Sequence, residues 1–91
     1  MATVNIPAYN ATALAATATI KNGQDGVIGR IIIVSATTGT VNIADGNGNV
    51  ILPTTASLTV STPLELDISA AFVSGAVVTI TGTVSMTVLW V

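Results

Sequence analysis

Along most of this chain apolar and polar residues alternate with a period of two, the spacing of a strand and not of a helix. Leu14, Ala16, Ala18 and Ile20 fall on one side, and Ala15, Thr17, Thr19 and Lys21 on the other. The alanines of residues 11–18 favour helix by propensity, but the alternation predicts strand. Residues 28–37 carry the strongest strand signal. Ile28, Arg30, Ile32 and Val34 share one face and Ile31, Ile33 and Ser35 the other. Apolar side chains on both faces predict a central strand covered on both sides for part of its length. Thr38-Gly39 then reads as a turn into residues 41–44. Asp45-Gly46-Asn47-Gly48-Asn49 is the clearest hairpin signal, returning through Val50-Ile51-Leu52 and stopping at Pro53. Residues 58–60 and 64–68 read as further strands, and residues 69–75 as a place for a helical turn. Residues 77–81 and 83–91 read as a last hairpin around Gly82, with Val84, Met86, Val88 and Trp90 pointing one way. About eight short strands at spacings of roughly 8–12 residues predict an all-β, antiparallel sandwich of jelly-roll type.

Composition sharpens this picture. Fifteen Thr, twelve Val and ten Ile make 37 β-branched residues of 91, side chains that suit a pleated surface. A chain of this length is expected to form one domain, residues 13–91, behind an extended N-terminal arm, residues 1–12. Charged residues are only 7% of the chain, against about 25–35% on a typical soluble surface. Thr, Ser and Asn replace part of that charge. The remainder predicts that partners, or copies of the chain, cover much of the surface, which would also protect charge-poor edge strands from aggregation.

Several functions are disfavoured on the same grounds. With a net charge of −2 no basic patch can release phosphate counterions, so no nucleic-acid partner is expected. The first basic residue is Lys21 and the longest aliphatic run is Ile31-Ile32-Ile33-Val34, far short of the roughly 20 residues of a membrane-spanning helix. Mean hydropathy is +0.83, but alternation with Thr and Ser argues for a sheet outside a membrane. Zero Cys and zero His remove thiolate chemistry and the commonest general base. No enzyme, cofactor or metal is expected.

The remaining candidates each have a structural reading. Asp45-Gly46-Asn47 opens like a calcium loop, yet Val50 and Ala56 stand where that loop needs Gly and Glu, so a hairpin turn is expected. The glycines of residues 23–29 lack the Lys-Ser/Thr pair and helix of a phosphate loop. Glu65 and Asp67 share a strand face at roughly 6.5–7 Å, a glycosidase-like spacing. Tyr9, Phe72 and Trp90 are too few to line a sugar cleft, and Arg30 could pair with either carboxylate across strands. Asn10-Ala11-Thr12 matches a glycosylation acceptor, but no secretory leader is expected, so no glycan is expected there. Trp90 is expected to anchor the core. Thr3, Asn5, Tyr9 and Asn10 of the arm are the expected partner contacts, through strand addition to a neighbour.

One order of motifs stands out: Lys21-Asn22-Gly23, Gly29-Arg30 leading into Ile31-Ile32-Ile33-Val34, and Asp45-Gly46-Asn47. Pro63-Leu64-Glu65-Leu66-Asp67-Ile68 and the closing strand of residues 84–91 complete it. Over residues 20–91 this resembles the small β-sandwich decoration (cement) proteins of tailed bacteriophages. The resemblance implies a homotrimer, or a dimer, on the outer capsid surface of a virion assembled in a bacterial cytoplasm. It would bridge major capsid proteins as a structural protein. The alternatives are a head-fibre base, a tail module or a carbohydrate-binding jelly roll.

Overall fold

The computed structural model describes residues 9–91, and these are all-β with no helix. Seven strands follow in order: β1 (Asn10–Leu14), β2 (Ala18–Ile20), β3 (Gly26–Asp45), β4 (Val50–Leu52), β5 (Leu58–Val60), β6 (Leu64–Phe72) and β7 (Ala76–Trp90). Every pairing between them is antiparallel. The two long strands, β3 and β7, pair along their whole length. β1 and β2 line the free side of β7, while β6, β5 and β4 line the free side of β3 from its start to its end.

Two expected turns are therefore not turns. Thr38-Gly39 and Gly82 lie inside continuous strands and face one another across the β3–β7 ladder. Each of these sites bends a strand without ending it, which takes the expected eight strands to six; β1, formed largely from residues expected in the arm, makes seven, and the strand expected through residues 14–21 is broken between Leu14 and Ala18. The place expected to hold a helical turn, residues 69–75, instead continues β6 through Phe72 before a short connection.

Bulges explain how β3 spends its side chains. From Ile28 to Asp45 it advances 17 positions while β7 advances 14, from Trp90 to Ala76, so β3 carries three extra residues. They fall between Ile28 and Arg30, between Ile33 and Ser35, and between Thr37 and Thr40. Each extra residue shifts a period-two pattern by one and so exchanges the faces. Buried positions accordingly run Ile28, Gly29 at the first bulge, Ile31, Ile33, Ala36, Gly39, Val41, Ile43 and Asp45. Ile28 and Ile31 thus share the inner face, while Arg30 and Val34 are exposed. The expectation of a strand covered on both faces is corrected: β3 is covered on one, and its bulges bring the isoleucines there in turn. In β7, which has no extra residue, the even positions Ala76, Val78, Val84, Met86 and Val88 stay buried without a phase change.

At about 3.3 Å per residue, 20 residues would extend to roughly 66 Å, yet the longest dimension of the molecule is 46 Å. β3 doubles back. Its first residue, Gly26, pairs with Phe72, and just past its end the Gly46 N–H donates to the carbonyls of Val73 and Gly75. Both ends of β3 thus meet the short connection between β6 and β7, and the core fills the space between. Phe72, Ile28, Ile31, Ile33, Ile43 and Met86 are its largest fully buried side chains. Trp90 packs on the rim of this core, partly buried, with its indole N–H donating to Thr12 Oγ1 at 2.9 Å.

Threonine also bridges the gaps in the outer strands. Between β1 and β2, Thr17 Oγ1 accepts from Ile80 N and donates to Ile80 O. Past the end of β4, Thr55 Oγ1 accepts from Val41 N, and Thr55 N donates to Val41 O. A hydroxyl can both donate and accept, so these side chains satisfy backbone groups that would otherwise lack partners.

Candidate functional site

The six charges divide into three local groups. Arg30 and Asp67 are opposite one another on β3 and β6, and Arg30 reaches diagonally to make an ion pair with Glu65. Both side chains are about half exposed, 46% and 54%, so the pair contributes under about 1 kcal/mol. Asp67 instead accepts a hydrogen bond from Ser69 Oγ at 2.8 Å. The two carboxylates lie on an open sheet face, and no pocket forms among the described residues. Just before β3, Lys21 Nζ donates to Asp25 O, and Asp25 Oδ1 accepts from Ser74 N in the connection between β6 and β7.

Asp45 is the one charged side chain that is buried among the described residues. Its oxygens accept from Asn47 N, Asn49 N, Asn49 Nδ2 and Val73 N at 2.8–3.2 Å. Every one of those partners is an N–H donor, which a cation would have to displace. The loop is the β3–β4 hairpin turn, with the carboxylate as its internal brace. The Asn49 side-chain amide holds the carboxyl below its ordinary value of 3.8; burial pushes the other way, and the backbone N–H groups of Asn49, Val73 and Asn47 reinforce the lowering.

The sign of the pH dependence follows. A depressed folded-state pKa stabilises the fold fully above the unfolded value and ceases to do so as pH falls through the folded one. Asp45→Asn lacks this contribution at every pH. Melting curves are therefore expected to show a gap between the native chain and Asp45→Asn that is constant near neutrality and narrows below about pH 4. A gap unchanged by acid would mean that the carboxylate charge does not brace the loop.

Of the expected partner contacts, Thr3 and Asn5 lie outside the described residues. Tyr9 is exposed, with its ring over Gly29, where a side chain would collide with it. Asn10 opens β1 opposite Trp90. Residues 10–12 of the arm thus belong to the sheet.

A surface that strand-by-strand reading missed lies across the middle of the molecule. Five successive outward positions of β7 are Thr79, Thr81, Thr83, Ser85 and Thr87. Opposite four of them on β3 stand Asn42, Thr40, Thr37 and Ser35, and Thr37 is opposite Thr59 of β5. This face carries hydroxyls and an amide and no charge. The signal was present as the alternation of residues 79–87, but its partner row on β3 depends on the bulges. Arg30, Glu65 and Asp67 sit to one end of it. No family model matches this chain, and no curated protein or solved structure matches it.

Proposed function

We propose that this chain is a structural virion protein, a cement subunit that decorates the outer face of a tailed-bacteriophage head and bridges neighbouring major capsid proteins. In this reading the doubled sheet is a sandwich of jelly-roll type, and the subunit acts as a homotrimer. The observation that carries the proposal is the charge-free hydroxyl face across β3, β5 and β7. Desolvating a hydroxyl costs less than desolvating a charge, and a new hydrogen bond can offset it. Such a face suits contact with protein better than free exposure in a charge-poor chain. Binding to the assembled lattice, but not to free capsid subunits, would stabilise the lattice by mass action, and three linked subunits would add avidity.

The test begins with the mass of the full chain by light scattering after size exclusion, where three times 9.1 kDa is expected. Heads of the encoding phage, prepared without this protein, are then titrated with it and sedimented. Saturable co-sedimentation is expected. Thr83→Glu, which places an unpaired charge on the hydroxyl face, is expected to lower occupancy at least about tenfold without unfolding the subunit. A monomer that leaves the heads bare would overturn the proposal, and filaments or rings would point to a tail component. Removing residues 1–8 tests the arm fairly, whereas a cut after residue 12 also deletes the Thr12 acceptor of Trp90.

A further inference from the structure

Two Asn-Gly dipeptides occur in this chain, Asn22-Gly23 and Asn47-Gly48. We infer that Asn22 is a site of spontaneous deamidation and backbone isomerisation, and that the fold shields Asn47. The chemistry needs only the chain and water. The Gly23 backbone nitrogen attacks Asn22 Cγ and forms a C–N bond. The Cγ–Nδ2 bond breaks, and ammonia leaves with the proton from the backbone nitrogen. Water then opens the five-membered imide at either carbonyl. Attack at the side-chain carbonyl gives aspartate, and attack at the main-chain carbonyl gives isoaspartate. Glycine favours ring closure because no Cβ hinders the approach of its nitrogen.

Exposure does not separate the two sites. All four residues are exposed, and a Cβ on either glycine would meet nothing within 4 Å. The hydrogen bonds do separate them. At the first site the turn closes through Gln24 N to Lys21 O at 2.9 Å, a bond that spans the dipeptide. Among the described residues the Gly23 N–H makes no hydrogen bond. At the second site the attacking nitrogen is itself the turn's donor, Gly48 N to Asp45 O at 3.1 Å. Asn47 N and Asn49 N are meanwhile held by Asp45 Oδ1. A hydrogen-bonded amide reacts only through local opening, so Asn47 must first break a turn that the buried carboxylate braces.

Conversion at Asn22 takes the net charge from −2 to −3. Isoaspartate also inserts a methylene into the backbone where the Asn22 Cα and Gly23 N lie close to Gly75. That contact belongs to the joint where Gly75 N donates to Gln24 O and Ser74 N to Asp25.

The full folded chain is held in warm, mildly alkaline buffer beside a sample unfolded in urea. Both are sampled over time by peptide mass spectrometry, with enzymatic methylation to mark isoaspartate. Asn22 is expected to convert about tenfold faster than Asn47 in the folded chain, the effect of one net hydrogen bond, and at a similar rate in urea. A new, more acidic species should grow on anion exchange in step with Asn22 conversion. Equal or faster conversion of Asn47 in the folded chain would overturn the inference. So would an intact Asn22 over the time in which the unfolded sample converts.

Discussion

Phe72→Ala is expected to destabilise the fold by roughly 3–5 kcal/mol, the range for removing a fully buried aromatic ring. Phe72 is 1% exposed and is the largest fully buried side chain. Its ring fills the space that Gly26 leaves empty, since a Cβ there would lie 2.6 Å from Phe72 Cζ. Gly26 starts β3, and the carbonyl of the next residue after Phe72 receives the N–H from Gly46, just past the end of β3. The ring therefore fills the place where the doubled strand closes, and backbone paired on several sides cannot easily collapse into the cavity. Against a total stability of about 5–15 kcal/mol for a domain, the loss can leave the variant largely unfolded. Phe72→Leu keeps most of the volume and is expected to cost about 1.5 kcal/mol or less, so it remains measurable if the alanine variant does not fold. Urea titration of both gives the answer. An alanine penalty under about 1 kcal/mol would place the ring outside the load of the core.

Much of this arrangement could be read in the sequence, and the largest part that could not has one cause. Leu58–Val60, Val50–Leu52 and the turn at residues 45–49 form as expected, because Pro53, Pro63 and the Asp-Gly and Asn-Gly pairs act within a few residues. The cross-strand pairing of Arg30 with the Glu65–Asp67 strand was legible from alternation alone. What alternation cannot show is a bulge. One extra residue changes which face a side chain takes, and it is located only by counting against the partner strand. Reading β3 by itself therefore put Ile28 opposite Ile31 and ended a strand at Thr38-Gly39, while on β7, which has no bulge, Gly82 was read as a turn from its residue type alone. The same blindness hid the hydroxyl face, whose two main rows belong to different strands, and it left Phe72 as a scattered aromatic. Trp90 was taken as the core anchor on size; with an indole N–H to satisfy, it sits at the rim beside Thr12.

Gly82→Ala is expected to cost roughly 2–4 kcal/mol, and its size can be apportioned by comparison with Gly48→Ala. Both glycines have φ of +83°, so both alanines meet the left-handed penalty of roughly 1–2 kcal/mol. Both also lose unfolded-chain freedom, which offsets about 0.4–1 kcal/mol. Their surroundings differ. Nothing lies within 4 Å of a Cβ at Gly48, whereas a Cβ at Gly82 would be 2.6 Å from Thr38 O and 3.0 Å from Gly39 Cα. Those are backbone atoms of the bulged partner strand, and they can move away only if the bend in β3 opens, at an overpacking cost of about 1–3 kcal/mol. Thr38 itself has φ of +49°, a conformation that a β-branched residue adopts only under constraint. The two strands thus bend together, with glycine on β7 accommodating the carbonyl that the bulge on β3 pushes toward it. Chemical denaturation of the two variants should give a larger loss at Gly82 by more than about 1 kcal/mol. Equal losses would mean that only backbone conformation matters at both sites, and that the close approach of β3 to β7 does not hold the bend.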